Sequence, residues 1–377
     1  MSVNPKVIGQ SPPLRRPGKM PTATSRAASQ RPVPAIRRRF LGSFSAAVAS
    51  VLAVAACGGP GSSSTSTTAS GKTPLVLVWN STPDVTDLPL LMAINSLKSQ
   101  GYDISAETVS GADVATQALA ANRAQFTTNQ IAAEASAAAH GAPVKIIEAT
   151  ASNPAVWVTA QGYQNCASLT GKPVGIFGPA SASTYTQEMD YYFGKFCPNV
   201  KPSLVTIPDS GLRAQAMANG RIVASVLADS DALSLTQKLD PKHHYNVVPL
   251  TRTFPGLADT YLYANSSVLK SDPAAVVALV KADLQNVRKI YQDPSSLPSL
   301  IEKYYGTSSS APTLTSGQQA VSGKTWYANG GLDAAGVSGL VASMKMFELP
   351  GNPRTFVDQQ PLTSALKQIG QSGLTSR

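Results

Sequence analysis

Short apolar runs that alternate with helix-length segments restrict this chain to an α/β architecture, because parallel strands need crossover helices between them. Leu75-Val76-Leu77-Val78-Trp79 reads as a buried strand, and residues 88–99 follow as a helix. Ile104 to Val109 alternates as a second strand, Val114 to Asn122 reads as a helix, and a strand near 125–128 comes next. Val144 to Ala149 and Ala155 to Ala160 are further strands. The second half repeats this grammar. Pro173 to Phe177, Leu204 to Ile207 and Val223 to Leu227 read as strands, with helices at Thr184 to Phe196 and Arg213 to Asn219. Gly220 suits the positive φ that follows a helix end. The unit of strand, helix ending in Ala-Asn, Arg and strand thus occurs at 104–128 and again at 204–227, which suits two lobes built on similar plans. Asp272-Pro273 opens the clearest helix, with Asp at N-cap and Pro at N1. Its Val276, Val277, Val280, Leu284, Val287 and Tyr291 recur at helical spacing and form a core-facing stripe without chemistry.

Charge is distributed unevenly. The chain has 31 Lys+Arg against 21 Asp+Glu, but residues 1–56 hold nine of the cations and no acid, which leaves 22 against 21 in the remainder. The basicity therefore belongs to the leader, and nucleic acid is not an expected partner. That leader carries Arg37-Arg38-Arg39-Phe40-Leu41 before an apolar stretch running to Ala56. The stretch is shorter and richer in Ala and Ser than a membrane span of about 20 apolar residues. It reads as an export signal, by the general secretory or the twin-arginine route. Val54-Ala55-Ala56-Cys57-Gly58-Gly59 resembles the lipobox of bacterial lipoproteins, which implies that the Cys57 thiol takes a diacylglycerol and becomes the new N-terminus. Gly58 to Thr73, almost wholly Gly, Ser and Thr, reads as a flexible tether.

Two cysteines remain, Cys166 and Cys197. In an oxidising compartment a disulfide is the expected state, and a loop of this size adds about 3–4 kcal/mol of stability in the chain-entropy model. Enzymatic readings find little support. His140, His243 and His244 are the only histidines, and none has cysteines or acids at metal-ligand spacing. No phosphate-binding glycine loop, nucleophile elbow or HExxH pattern occurs. No cofactor, metal site or catalytic residue is expected.

Three stretches carry a family resemblance. They are Gln117-Ala118-Leu119-Ala120-Ala121-Asn122 through His140-Gly141-Ala142-Pro143-Val144-Lys145-Ile146-Ile147, then Leu169-Thr170-Gly171-Lys172-Pro173-Val174-Gly175-Ile176 leading into Ser183-Thr184, and Asn329-Gly330-Gly331-Leu332 followed by Phe356-Val357-Asp358. Together they resemble the substrate-binding proteins of the nitrate/sulfonate/taurine type, which share a fold with binders of thiamine-pyrimidine precursors. The chain departs from that pattern at Asn122-Arg123-Ala124-Gln125 and Gly220-Arg221-Ile222-Val223, where the family often has Gly-x-x-Asp. The resemblance implies a two-lobe periplasmic-binding-protein type II fold, with lobe 1 formed by 74–165 plus 262–377 and lobe 2 by 166–261. It also implies a small-molecule ligand, ABC permease and ATPase subunits as partners, a monomer, and contact with the membrane through the lipid anchor only. A sensor that presents its ligand to a membrane receptor would have the same sequence pattern.

Ligands of open α/β sheets sit beyond the carboxyl ends of strands, which selects loops without reference to any family. Asn80, Ser81, Thr82 and Asp84 follow the first strand, and Asn129 and Gln130 follow the strand near 125–128. Ser181, Ser183 and Thr184 open a helix whose free N–H groups suit an anion, and Ser183-Thr184 matches the family's Ser-Thr position. An ordinary helix cap would use the same residues. Asp229 either binds an amine or caps the next helix. Trp157 and Arg252 are weaker candidates, as core aromatic and loop cation respectively. A small organic anion such as a sulfonate is the leading ligand class, with a thiamine-type pyrimidine or other heterocycle as the alternative.

Overall fold

A computed structural model describes residues 74–370, apart from 154, 251–253, 255–256 and 307–310. The expected export signal, Cys57 and the tether lie outside the described residues, as does Arg252. Strands β1 (Leu75–Trp79), β2 (Ile104–Thr108), β3 (Phe126–Asn129) and β4 (Val144–Ser152) come first, followed by β5 (Val156–Ala160), β6 (Pro173–Ile176) and β7 (Ser203–Thr206). Strands β8 (Ala224–Leu227), β9 (Tyr245–Pro249) and β10 (Ala258–Asn265) complete the set. The helices used below are α1 (Leu88–Ser99), α2 (Ala112–Ala120), α3 (Ile131–Ala139), α4 (Thr184–Phe196), α5 (Ser210–Ala218), α6 (Asp229–Ser234), α7 (Ser266–Ser271) and α8 (Pro273–Gln292). No described helix is long and apolar enough to cross a membrane.

The strands form two five-stranded sheets, in the orders β2-β1-β3-β10-β4 and β7-β6-β8-β5-β9. β1 pairs in parallel with β2 and β3, and β6 in parallel with β7 and β8, so each sheet is built on βαβ crossovers. β10 and β5 join antiparallel. The chain leaves the first sheet between Ser152 and Val156 and returns between Pro249 and Ala258. Both changes come earlier than the lobe boundaries expected at 165/166 and 261/262. Residues 156–160 pair in the second sheet, and Ala258 to Tyr261 pair in the first. An apolar strand does not disclose its partner; hydrogen-bond register with distant segments decides it. At the first crossing, the Asn153 N–H donates to Leu257 O at 3.2 Å, which joins the two connecting segments.

Local signals account for most elements. Asp272 accepts from Ala275 N at 3.1 Å and Pro273 sits at N1, as its sequence requires for starting α8. Val276, Val280, Leu284 and Val287 of that helix are buried, with Leu279 and Ile290 completing the stripe, while Val277 and Tyr291 are only half-buried. Around the first sheet, Leu77, Phe126, Ile146, Leu262 and Leu279 belong to one apolar core. The second sheet has a core on each face, one around Trp157, Val174, Met189 and Phe193, the other around Val156, Val158 and Met217. Trp157 packs edge-on against Phe193, a core role. Cys166 and Cys197 are joined by a disulfide with Cα atoms 5.3 Å apart. The Gly330-Gly331 pair has φ of +76° and +59°, and a Cβ at Gly330 would lie 2.3 Å from Leu362 Cδ1. Only glycine fits that turn, whose Gly330 carbonyl accepts from Ala149 N at 2.9 Å.

Candidate functional site

The carboxyl ends of β1, β3, β6 and β8 converge on one cavity, with about 550 Å³ of empty space including its open mouth. The first sheet contributes Trp79 through Thr82, Asp84, Thr86 and Asp87, then Thr128, Asn129, Gln130, Asp259 and Thr260. The second contributes Phe177, Tyr185, Ser210, Arg213 and Ala228. Of the residues selected from sequence, Asn80, Ser81, Thr82, Asp84, Asn129 and Gln130 stand in this wall.

Ser181, Ser183, Thr184 and Asp229 do not. Ser181 is exposed, and the buried Ser183 hydroxyl accepts from Thr186 N at 3.3 Å as the N-cap of α4. Thr184 is buried with its hydroxyl lacking a hydrogen-bond partner. Asp229 is the first residue of α6 and hydrogen-bonds Ser316. The helix end next to Ser183 does reach the cavity, through the following Tyr185 rather than through the hydroxyls.

Asn129 shows how the wall is fixed. Its Nδ2 donates to Glu134 Oε1 at 2.9 Å and to Ala112 O at 3.2 Å. Its Oδ1 accepts from Asn80 Nδ2 at 2.5 Å and from Gln130 N at 2.9 Å. With donors and acceptor so engaged, Asn129 orients Asn80 and Gln130. Glu134 is fully buried, and burial raises its carboxyl to about 8, against lowering by Thr116 and Asn129.

Three carboxyl groups face the cavity from the first sheet's side. Asp84 and Asp87 bracket the one-turn 3₁₀ helix Val85–Asp87 in a capping box. Asp84 Oδ1 accepts from Thr86 N at 2.7 Å, and Asp84 N donates to Asp87 Oδ2 at 3.0 Å. The turn is clamped from outside: the Tyr305 hydroxyl donates to Asp84 O, and Trp326 Nε1 donates to Thr86 O at 2.7 Å. Asp259 Oδ1 accepts from Gln130 Nε2 at 3.3 Å, its Oδ2 accepts from Thr260 Oγ1 at 3.0 Å, and it hydrogen-bonds Tyr185 across the cavity. Burial is the main cause that raises all three, Asp87 well above the usual range and Asp259 to about 6.

Opposite stands Arg213, 1% exposed on α5. Its Nη1 donates to Ile207 O at 2.7 Å and Pro208 O at 3.0 Å, and Nε donates to Val226 O at 3.2 Å. The guanidinium lies over the Phe177 ring at 5.7 Å, and Nη2 has no partner. Burial lowers its pKa to about 10, so it stays charged at neutral pH.

Sequence reasoning reached the loops after β1 and β3 but passed over Asp87, Asp259, Tyr185 and Arg213. Asp259 did leave a trace, as an acid within the apolar run from Ala258 to Ala264. Arg213 left none, since an arginine in the first turns of a helix is commonly solvated.

The family model described as "NMT1/THI5 like" matches residues 97–296. No curated protein matches the chain in sequence. Among solved structures, the ligand-binding component of an ABC-type import system from Staphylococcus aureus superposes with a TM-score of 0.62 at 15% identity, covering 78% of this chain and 99% of that one. The nitrate-binding protein of Synechocystis gives 0.61 at 10% identity, covering 79% and 89%. The alkanesulfonate-binding protein of Xanthomonas axonopodis, bound to MOPS, gives 0.58 at 13% identity, covering 76% and 98%.

Proposed function

The chain belongs to the NMT1/THI5-like family and has the periplasmic-binding-protein type II fold, and from that premise we propose that it is the solute-binding component of an ABC importer. The observation that carries this reading is the cavity at the carboxyl ends of strands from both sheets, walled by polar side chains from each. Two lobes joined by two connecting segments can close on a solute as a hinge, so occupancy changes the surface offered to a permease. Nothing in the wall needs to transform the solute; amides, hydroxyls and charged groups bind it and release it. Asn80, Ser81, Thr82 and Gln130 are the proposed contacts, with Asn80 and Gln130 positioned by Asn129.

In the same reading the protein is exported, lipid-anchored at Cys57, held off the membrane by residues 58–73, and monomeric, with transport supplied by permease and ATPase subunits. Two of the similar structures named above are an alkanesulfonate-binding and a nitrate-binding protein. An anion of that kind would meet Arg213 in this wall, but also three carboxyl groups.

The test is capture. The purified exported protein is incubated with a small-molecule extract, freed of unbound solute, and examined by native mass spectrometry and thermal unfolding. Sulfonates, nitrate and aminopyrimidines are assayed in parallel. A solute at 100 times its Kd adds about 2.7 kcal/mol of stability. A bound small molecule that is lost in Gln130→Ala supports the reading. A protein that retains no small molecule from any source, with no change in melting temperature, would defeat it.

A further inference from the structure

We propose that the cavity selects a solute presenting a protonated nitrogen to the Asp84–Asp87–Asp259 wall and a hydrogen-bond acceptor to Arg213; this rests on the solute-binding reading above. The charged residues lining the cavity are these three acids and this one cation. Among the described residues, no lysine or arginine forms an ion pair with any of the three carboxyl groups. They are nonetheless held in place by the capping box, by the Tyr305 and Trp326 clamps, and by Gln130 and Thr260. A fixed set of desolvated carboxyl groups favours a cation strongly, because little of their surroundings must reorganise when it arrives. The adjoining cavity shares Ser81, Thr82, Asp84 and Ser210, and adds Asp209 and Asp231. That adjoining cavity is acidic too, which adds to the negative potential on this side.

Arg213 supplies the independent second observation. Three of its N–H contacts go to backbone carbonyls that fix the side chain, while Nη2 is buried without a partner in the cavity wall. A buried donor left unpaired is costly, and a solute carbonyl, carboxylate or ring nitrogen would satisfy it. A simple anion answers Arg213 alone and is repelled by the opposite wall. A solute with a protonated nitrogen at one end and an acceptor at the other answers both.

Binding of the nitrogen should also tighten as pH rises, since its partners must be ionised. Asp259 is raised to about 6, and the titratable groups facing it are Asp84, Asp87, Tyr185, Glu188 and Tyr261. The sign is opposite to that of an anion site, which improves on acidification.

Three four-carbon probes separate the features on the whole exported protein: 4-aminobutyrate carries both, butylamine the nitrogen only, and butyrate the acceptor only. Thermal unfolding and calorimetry at millimolar concentration are expected to rank them in that order, with butyrate inert. Butylamine binding should strengthen from about pH 5 to about pH 7.5 and weaken about tenfold in Asp259→Asn. The pH series uses the unaltered protein, so it decides the matter even if the variant folds poorly. Butyrate outranking butylamine, affinity that rises on acidification, or no response to any probe would overturn the assignment. The importer reading would be untouched by those results, because it stands or falls on whether a solute is captured at all.

Discussion

Position for position, β2-β1-β3-β10-β4 of the first lobe matches β7-β6-β8-β5-β9 of the second. In both, a parallel β-α-β unit forms one side of the sheet and an antiparallel strand arriving from elsewhere in the chain is added beside it. The equivalent helices α2 and α5 end alike, with Asn122 at φ +57° and Gly220 at φ +67°. What differs is how the plan is filled. The first lobe buries a continuous apolar core and three acids within it, Glu134, Glu148 and Asp283. The second has thinner cores, a single fully buried acid, Glu188 on α4, and a disulfide. Toward the cavity the first lobe presents carboxyl groups, the second a guanidinium and aromatic rings. One scaffold thus supplies two walls of opposite character to one cavity.

The comparison breaks most visibly at the core of the first lobe. Phe126→Ala removes a fully buried ring from β3 and should cost about 3–5 kcal/mol, read as a lowered urea midpoint. Removing the disulfide with Cys166→Ser and Cys197→Ser should cost about 3 kcal/mol. Hydrogen exchange would sharpen the contrast, rising in α4, β6 and β7 while the first sheet is unchanged. Equal rises in both lobes would show that the disulfide does not act locally.

The buried acids should give the first lobe a pH signature. Glu134 is raised to about 8, above its unfolded value, so its contribution is complete below about pH 4.5 and is lost as pH rises through about 8. Glu148 and Asp283 are raised likewise by burial. Glu134→Gln should therefore flatten the decline of stability across that window, by on the order of 5 kcal/mol at most. Denaturation midpoints at several pH values read it directly, and an unchanged slope would refute the role. The smallest effect belongs to the surface of the second lobe. The exposed His243 pairs with the half-buried Asp240 at 2.6 Å, and His243→Ala should leave the denaturation midpoint nearly unchanged.

Legibility followed the range of the interactions. Helix α8 was readable because Asp272, Pro273 and the apolar stripe act within a few residues of one another. The loops after β1 and β3 were readable from strand direction alone. Ser183-Thr184 was ambiguous, because a helix start has the same sequence whether its hydroxyl caps the backbone or meets an anion; here the Ser183 hydroxyl accepts from Thr186 N. Asp259 and Arg213 were invisible as partners, since one lies on a strand returning to the first lobe and the other on a helix of the second.

By itself the sequence determined the α/β class, the repeated strand–helix grammar, most element positions and two of the loops that form the cavity. Each follows from periodicity, caps and turn residues whose energies are local. Only the tertiary structure decided which sheet β5 and β10 join, and that Asp84, Asp87, Asp259 and Arg213 share one cavity. Those outcomes depend on register, desolvation and packing between distant segments, and no window of neighbouring residues contains them.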